Sequence, residues 1–257
     1  MRVTLNHKVV LLLTAFALLF NSTLFAQTAQ DDFLNRYKIG VELFQKGMLH
    51  AAEVEFEALL EENYLNKEKF TSDIQAYLTL IAIESNHANR DAKYSQMEKQ
   101  WSNSSLISIV RLRFASELFD IEQYNQAIEI YNKINIKNLS KTYRNEYYFK
   151  KGYSFFNIGD SQTATILMQR VIEAPFDSYT NPSYYYSGYI HYVRSEFQKA
   201  IALFEKISHD PRFSLLSKYY TLESKFMLKD YSYVTEKGEL LYNQLRRSQN
   251  KKRKSYI

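Results

Sequence analysis

Small and large apolar residues recur in one pattern along most of the chain. Residues 40–59, 152–171 and 188–207 align without a gap, and residues 115–134 fit with Ala in place of the first Gly. Each stretch begins with a small residue, followed by a large side chain three places later, Ala after twelve places and a bulky apolar side chain after sixteen. Small residues let two helix backbones approach, and bulky ones fill the space beside the crossing. The pattern therefore predicts antiparallel pairs of helices.

The alanine in this pattern marks six copies. Four of them have Ala52, Ala127, Ala164 and Ala200 there, and two weaker copies have Ala92 and Val234. Successive spacings are 40, 35, 37, 36 and 34 residues. Pattern and spacing together resemble those of the tetratricopeptide repeat (TPR) family, whose period is about 34 residues.

The resemblance implies an all-α fold, a right-handed superhelical solenoid of antiparallel hairpins, each made of a helix A and a helix B. The resemblance covers roughly residues 33–245, and we expect the solenoid to span residues 27–245 in about six repeats. In the family's scheme the first small residue is position 8 and the alanine is position 20. The residues predicted to define the repeats are Gly40, Ala52, Ala115, Ala127, Gly152, Ala164, Gly188 and Ala200.

Glycine and proline positions agree with this scheme. Gly47 and Gly159 fall at the turn between helix A and helix B, whereas Gly238 in the last copy has no place in the pattern. The three prolines, Pro175, Pro182 and Pro211, all fall between repeats, where a helix must stop. So few turn-forming residues also argue against a many-stranded β fold.

In TPR proteins, positions 2, 5, 9, 12 and 13 of helix A face a concave groove, and the resemblance implies the same here. Positions 5, 9 and 12 form one stripe along the helix. These positions are unusually aromatic, which leaves two interpretations. The rings pack between successive repeats, or they anchor an apolar or extended partner segment. The basic residues with which some TPR proteins grip a C-terminal carboxylate are missing. The candidate groove residues are Tyr37, Phe44, Leu112, Phe119, Phe149, Tyr153, Phe156, Tyr185, Tyr189, Tyr192, Tyr219 and Phe226.

Residues 1–26 are typical of a secretory signal peptide. Arg2 and Lys8 precede an apolar run over residues 9–20, and Ala26 is the expected cleavage point. The run is too short to cross a bilayer as a helix, so we expect no integral membrane segment after cleavage. The chain has no cysteine, which excludes a lipoprotein anchor. We therefore expect a periplasmic protein of a Gram-negative envelope.

Net charge does not favour nucleic acid as a partner. Without the cations of the signal peptide and the C-terminal tail, 25 basic residues stand against 28 acidic ones. A nucleic-acid binder needs positive charge spread over a folded face. The basic tail, residues 246–257, has three interpretations: a solvated end, the cut end of a longer repeat array, or a weak contact with an anionic envelope surface.

No pattern of catalytic, metal-ligating or cofactor-binding residues occurs, so we expect no enzyme, no metal and no cofactor. No two histidines have the spacing of a helical zinc site, and the glycine-rich phosphate-binding motifs are absent. We expect His191 to be a satisfied structural histidine. The predicted function is a scaffold that binds a protein or peptide partner in the aromatic groove. The alternatives are a glycan- or polymer-binding module and the N-terminal arm of a longer envelope assembly protein.

Overall fold

The computed structural model describes residues 30–61 and 67–254. The predicted signal peptide, residues 1–26, lies outside these ranges. Within them the chain forms helices and turns without a β-strand, which confirms the all-α class. The helices are α1 (described over 30–45), α2 (Leu49–Glu61), α3 (Lys67–Glu84), α4 (Arg90–Gln100), α5 (Ile107–Asp120), α6 (Tyr124–Asn132), α7 (Lys141–Asn157), α8 (Ser161–Ile172), α9 (Thr180–Val193), α10 (Phe197–Glu205), α11 (Ser214–Met227) and α12 (Tyr231–Lys254), with a 3₁₀ turn at Ile136–Asn138.

The chain divides into two compact units, with the boundary between Arg113 and Phe114 inside helix α5. In both units, helices that follow each other in sequence pack side by side, for example α2 with α3 and α7 with α8. Helix α9 also contacts α11, the next but one, so neighbouring A helices touch in the second unit. Helix α12 continues through residues 246–254, past the predicted end of the repeats at residue 245.

Six hairpin turns share one backbone geometry. The turn residue of each has a left-handed conformation, with φ between 54° and 89°. At Gly159 the turn N–H donates to the Phe156 carbonyl at 3.1 Å, and the Asp160 N–H donates to the Phe155 carbonyl at 2.9 Å. Both bonds recur at every one of the six, which satisfies the last carbonyls of helix A. The turn residues are Gly47, Asn86, Glu122, Gly159, Ser195 and Lys229.

The turn residue fixes the register of every repeat, because it occupies position 15. Gly47 and Gly159 are confirmed as turn residues, and Lys229 agrees with the weak sixth copy. The register of the second copy is wrong. Helix α4 begins four residues after Asn86, instead of the usual two, and Ala92 is exposed. Tyr94 and Met97 are the residues that α4 buries, since the longer turn shifts the buried face.

Small residues lie where the helices cross. In two repeats, however, the nearest neighbour of the position-8 glycine is an aromatic ring of helix B and not the alanine at position 20. A Cβ on Gly188 would lie 2.9 Å from Cε1 of Phe204, and one on Gly40 would lie 2.9 Å from Cε1 of Phe56. Both rings are at position 24 and are fully buried. Position 8 is therefore small in these repeats because an aromatic ring occupies the space. All eight predicted repeat-defining residues are buried.

Polar bonds tie the start of one helix A to the loop before the next helix A. Nδ2 of Asn145 donates to Oδ2 of Asp177 at 2.9 Å, and Nδ2 of Asn181 donates to Oδ2 of Asp210 at 2.6 Å. In the first unit, the hydroxyl of Ser104 donates to Oδ1 of Asp73 at 3.1 Å. Each bond spans about one repeat period, so it helps to set the spacing between successive hairpins.

Candidate partner-binding surface

Most of the predicted groove residues are half-buried rings on the A helices. Tyr219 and Phe226 on α11 are more open, with 38% and 51% of their surface exposed. Leu112 is 0% exposed, so its assignment to the groove is wrong. Leucine has no polar tip to keep in water, and burying the whole side chain is favourable. The other eleven predicted residues retain accessible surface.

In the first unit the predicted rings pack around Tyr77 of helix α3. The ring of Tyr77 stacks on Phe56 with centroids 4.9 Å apart, and its edge meets Phe44 at 5.3 Å. Tyr37 lies 6.4 Å from the same ring and 5.4 Å from Phe70. The surface of this unit is thus largely occupied by packing between the first two repeats.

Helix α7 of the second unit repeats this arrangement with Tyr186 of helix α9. The ring of Tyr186 meets Tyr153 edge-on at 4.7 Å, Phe156 at 5.7 Å and Phe149 at 6.3 Å. Tyr153 also contacts Phe119 of helix α5 at 5.5 Å. A chain of ring contacts therefore runs along three consecutive A helices.

The chain of contacts continues through Tyr220 of helix α11. Its ring lies 5.0 Å from Tyr192, 5.3 Å from Tyr189 and 6.5 Å from Tyr185, and it stacks on Phe204 at 5.6 Å. Burial raises the pKa of Tyr192, and the Glu223 carboxylate and Tyr219 of helix α11 raise it further because they lie close to its hydroxyl group. Tyr189, Tyr192 and Tyr219 thus form one surface on α9 and α11.

The residues at position 6 of helix A were not among the predicted groove residues, although they organise these contacts. Tyr77, Lys150, Tyr186 and Tyr220 occupy this position, nine residues before their turn residues. Each reaches back to the ring at position 12 of the preceding helix A; for Lys150, the Nζ atom lies 5.1 Å from the centre of the Phe119 ring. The 34-residue spacing between Tyr186 and Tyr220 is the signal that could have revealed them.

Tyr185, Tyr186 and Tyr219 stay protonated near neutral pH because the pKa of each is raised. Burial raises the pKa of Tyr185 to about 12 and also raises that of Tyr186. The Glu223 carboxylate raises the pKa of Tyr219, with which it shares a hydrogen bond. Neutral phenol groups can both donate and accept hydrogen bonds, so the surface offers rings together with hydroxyl groups.

Metal-ligating side chains do not converge in the part of the chain that the structure describes. No cluster of three His, Asp or Glu side chains there could hold a metal ion. Nδ1 of His191 lies 3.0 Å from Oε2 of Glu196, which confirms His191 as a satisfied histidine at a hairpin turn. None of the described helices is long and apolar enough to cross a membrane.

Several solved structures resemble this chain, among them PilF and MamA. PilF of Pseudomonas aeruginosa superposes with a TM-score of 0.57 at 13% identity, over 84% of this chain and 97% of PilF. MamA of MSR-1 has a TM-score of 0.47 at 14% identity, over 68% of this chain and 97% of MamA. No family model and no curated protein matches the sequence. The chain has a TPR-like fold.

Proposed function

We propose that this chain is a non-catalytic scaffold that binds a protein or peptide partner on the second unit. The binding surface, here called the aromatic surface, comprises Tyr153, Phe156, Tyr189, Tyr192 and Tyr219 on helices α7, α9 and α11. The observation that supports it most is that these rings remain partly accessible, although in three successive repeats they also contact one another or the inserted rings of Tyr186 and Tyr220. Packing between repeats and partner binding are thus compatible uses of the same residues.

The chemistry of the aromatic surface suits a segment of polypeptide. Tyrosine and phenylalanine offer large contact areas at low entropic cost, and their rings are already held in place by neighbouring rings. Tyrosine hydroxyl groups can bond the backbone amides of an extended segment. A fixed row of partly exposed rings is what an apolar or extended partner would require.

The proposal includes export of this chain to the periplasm, where the scaffold would meet its partner. The apolar run over residues 9–20 and Ala26 support cleavage and release into the periplasm. Mass spectrometry of the protein isolated from a Gram-negative host tests this step. Export predicts a mature N-terminus at Gln27 in the periplasmic fraction, whereas a retained Met1 in the cytoplasm would refute it. Contact of the basic tail with an anionic envelope surface stays a prediction.

Photo-crosslinking in the native envelope tests whether a protein partner binds the aromatic surface. A photoreactive phenylalanine analogue replaces Tyr192 in one strain and Ile166 in another. Ile166 is 57% exposed on helix α8, a B helix, and serves as the matched control. The proposal predicts a discrete protein adduct from position 192 that position 166 does not give. Equal adducts from both positions, or polysaccharide adducts at position 192, would refute a peptide groove, the latter in favour of a glycan-binding module.

A further inference from the structure

A cavity opens on the second unit between helices α10 and α12, both of which pack on α11. Its volume is about 270 Å³. Three leucines form an apolar wall, Leu222 of α11 with Leu240 and Leu241 of α12. Leu240 keeps 60% of its surface exposed, so the wall is in contact with solvent. A hollow of this kind gains free energy when an apolar group displaces water from it.

The cavity lies where the fifth repeat has a tyrosine ring. Position 4 of helix A, eleven residues before the turn residue, is Tyr184 in that repeat, and this ring packs against the core cluster that includes Ile207. The sixth repeat has Lys218 at position 4 and Leu241 at the position of Ile207, and both line the cavity. A lysine keeps its charged end in water. The space that the ring fills in the fifth repeat therefore stays open in the sixth.

Two lysines at the cavity occupy positions that form an ion pair in the first repeat. There Arg36 is at position 4 and Glu55 is at position 23, and Nε of Arg36 lies 2.6 Å from Oε1 of Glu55. The sixth repeat has Lys218 and Lys237 at these two positions, and both line the cavity. Like charges thus stand where the first repeat has opposite ones. An anion bound between the two lysines would be attracted by both.

The cavity has more basic than acidic groups. Glu205 of α10 is the one carboxylate among the described residues that line it. Nζ of Lys237 lies 2.5 Å from Oε1 of Glu236, but both side chains of this pair are exposed, and such pairs are weak. None of the ion pairs among the described residues includes Lys218. Lys218 is therefore the cation that is available to a ligand.

We infer that this cavity binds a medium-chain fatty acid, with its carboxylate between Lys218 and Lys237 and its chain against the three leucines. The volume sets the length of the chain. An apolar cavity of about 150 Å³ holds benzene, so about 270 Å³ suits roughly ten carbon atoms. The site is independent of the proposed partner binding, because none of the five residues of the aromatic surface lines it.

Isothermal titration of the purified protein with three amphiphiles tests the chemistry of this site. Decanoate should bind. Hexanoate should bind at least about tenfold more weakly, because its shorter chain buries less apolar surface against the leucines. Decyltrimethylammonium has a chain of the same length with a cationic head, and the lysines should prevent it from binding. Equal affinity of decanoate for the site with either of the other two compounds would overturn the inference.

Two variants of Lys218 locate the binding. Lys218→Tyr places a ring where the fifth repeat has one, so it should fill the cavity and abolish decanoate binding. Lys218→Met keeps a flexible chain without the charge and should weaken binding about tenfold. Lys199→Met is the control, because it removes an exposed cation of α10 that does not line the cavity.

The unaltered chain and the Lys218 variants give the outcomes that decide the inference. Absence of decanoate binding to the unaltered chain, or undiminished binding to either variant, would overturn it. Loss of binding in Lys199→Met to the same extent as in Lys218→Met would overturn it too, because the effect would then not be local. Circular dichroism of all three variants checks that the helices are retained, and Lys218→Met provides the test should Lys218→Tyr not fold.

Discussion

Gly188→Ala should destabilise the second unit because its methyl group has no room. The added Cβ would lie 2.9 Å from Cε1 and 3.1 Å from two more atoms of the Phe204 ring. That ring is fully buried and stacks on Tyr220 with centroids 5.6 Å apart. It can therefore not move away without disturbing the contact between α10 and α11. Inserting a methylene-sized group into such a core costs about 1–3 kcal/mol.

Gly238→Ala is the matched control for this variant. Gly238 also lies within a helix, α12, but an added Cβ there would meet no atom within 4 Å. Replacing Gly by Ala in a helix stabilises by about 1 kcal/mol, and this gain is common to both variants. The difference between their unfolding free energies should therefore equal the cost of overpacking, about 1–3 kcal/mol, with Gly188→Ala the less stable.

Urea unfolding followed by circular dichroism measures this difference. Both sites belong to the second unit, so the comparison does not depend on how the two units share their stability. Equal midpoints and slopes for Gly188→Ala and Gly238→Ala would refute the close contact between position 8 and the ring at position 24. A stabilised Gly188→Ala would refute it as well.

Three further changes test other parts of the fold. Lys229→Gly should raise the unfolding free energy by about 1 kcal/mol, measured by urea unfolding, because it relieves a left-handed conformation with φ of 63°. Ala164→Leu and Ala200→Leu should each lower it by about 1–3 kcal/mol by overpacking fully buried sites, and unchanged melting temperatures for both would contradict the scheme. The bonds from Arg212 and Asn181 hold the pKa of Asp210 below its usual range. Because that pKa is depressed in the folded state, the stabilisation is complete above about pH 4 and is lost as pH falls through the lowered pKa. Asp210→Asn should thus destabilise at neutral pH, and unfolding curves at several pH values should show the deficit shrinking in acid.

The hairpins could be predicted because small residues at the helix crossings and glycines at two of the turns are recognisable in the sequence. Gly47 and Gly159 tolerate the left-handed conformation without strain, so they are visible as turn residues. Glu122, Ser195 and Lys229 adopt the same conformation without any such mark, since tertiary packing outweighs their preference. In the second repeat, helix α4 begins four residues after Asn86 instead of two, and nothing in the sequence signals this longer turn. The predicted register of that repeat was displaced as a result.

The aromatic surface was harder to predict because its geometry depends on neighbouring repeats. Positions 5, 9 and 12 were recognised from a single helix, which cannot show what the next helix inserts. Tyr186 and Tyr220 cover one side of these rings only after the repeats stack. Leu112 fails for a similar reason, since its helical position suits a groove while its surroundings bury it completely.

Affinity for the captured partner tests the central claim most directly. Once crosslinking has identified that partner, its dissociation constant is measured by isothermal titration for the unaltered chain, Tyr192→Ala and Ile166→Ala. The aromatic surface predicts that Tyr192→Ala weakens binding about tenfold or more, as truncation of a central aromatic contact does, and that Ile166→Ala binds as before. Equal affinity of all three proteins would contradict a partner site on helices α7, α9 and α11.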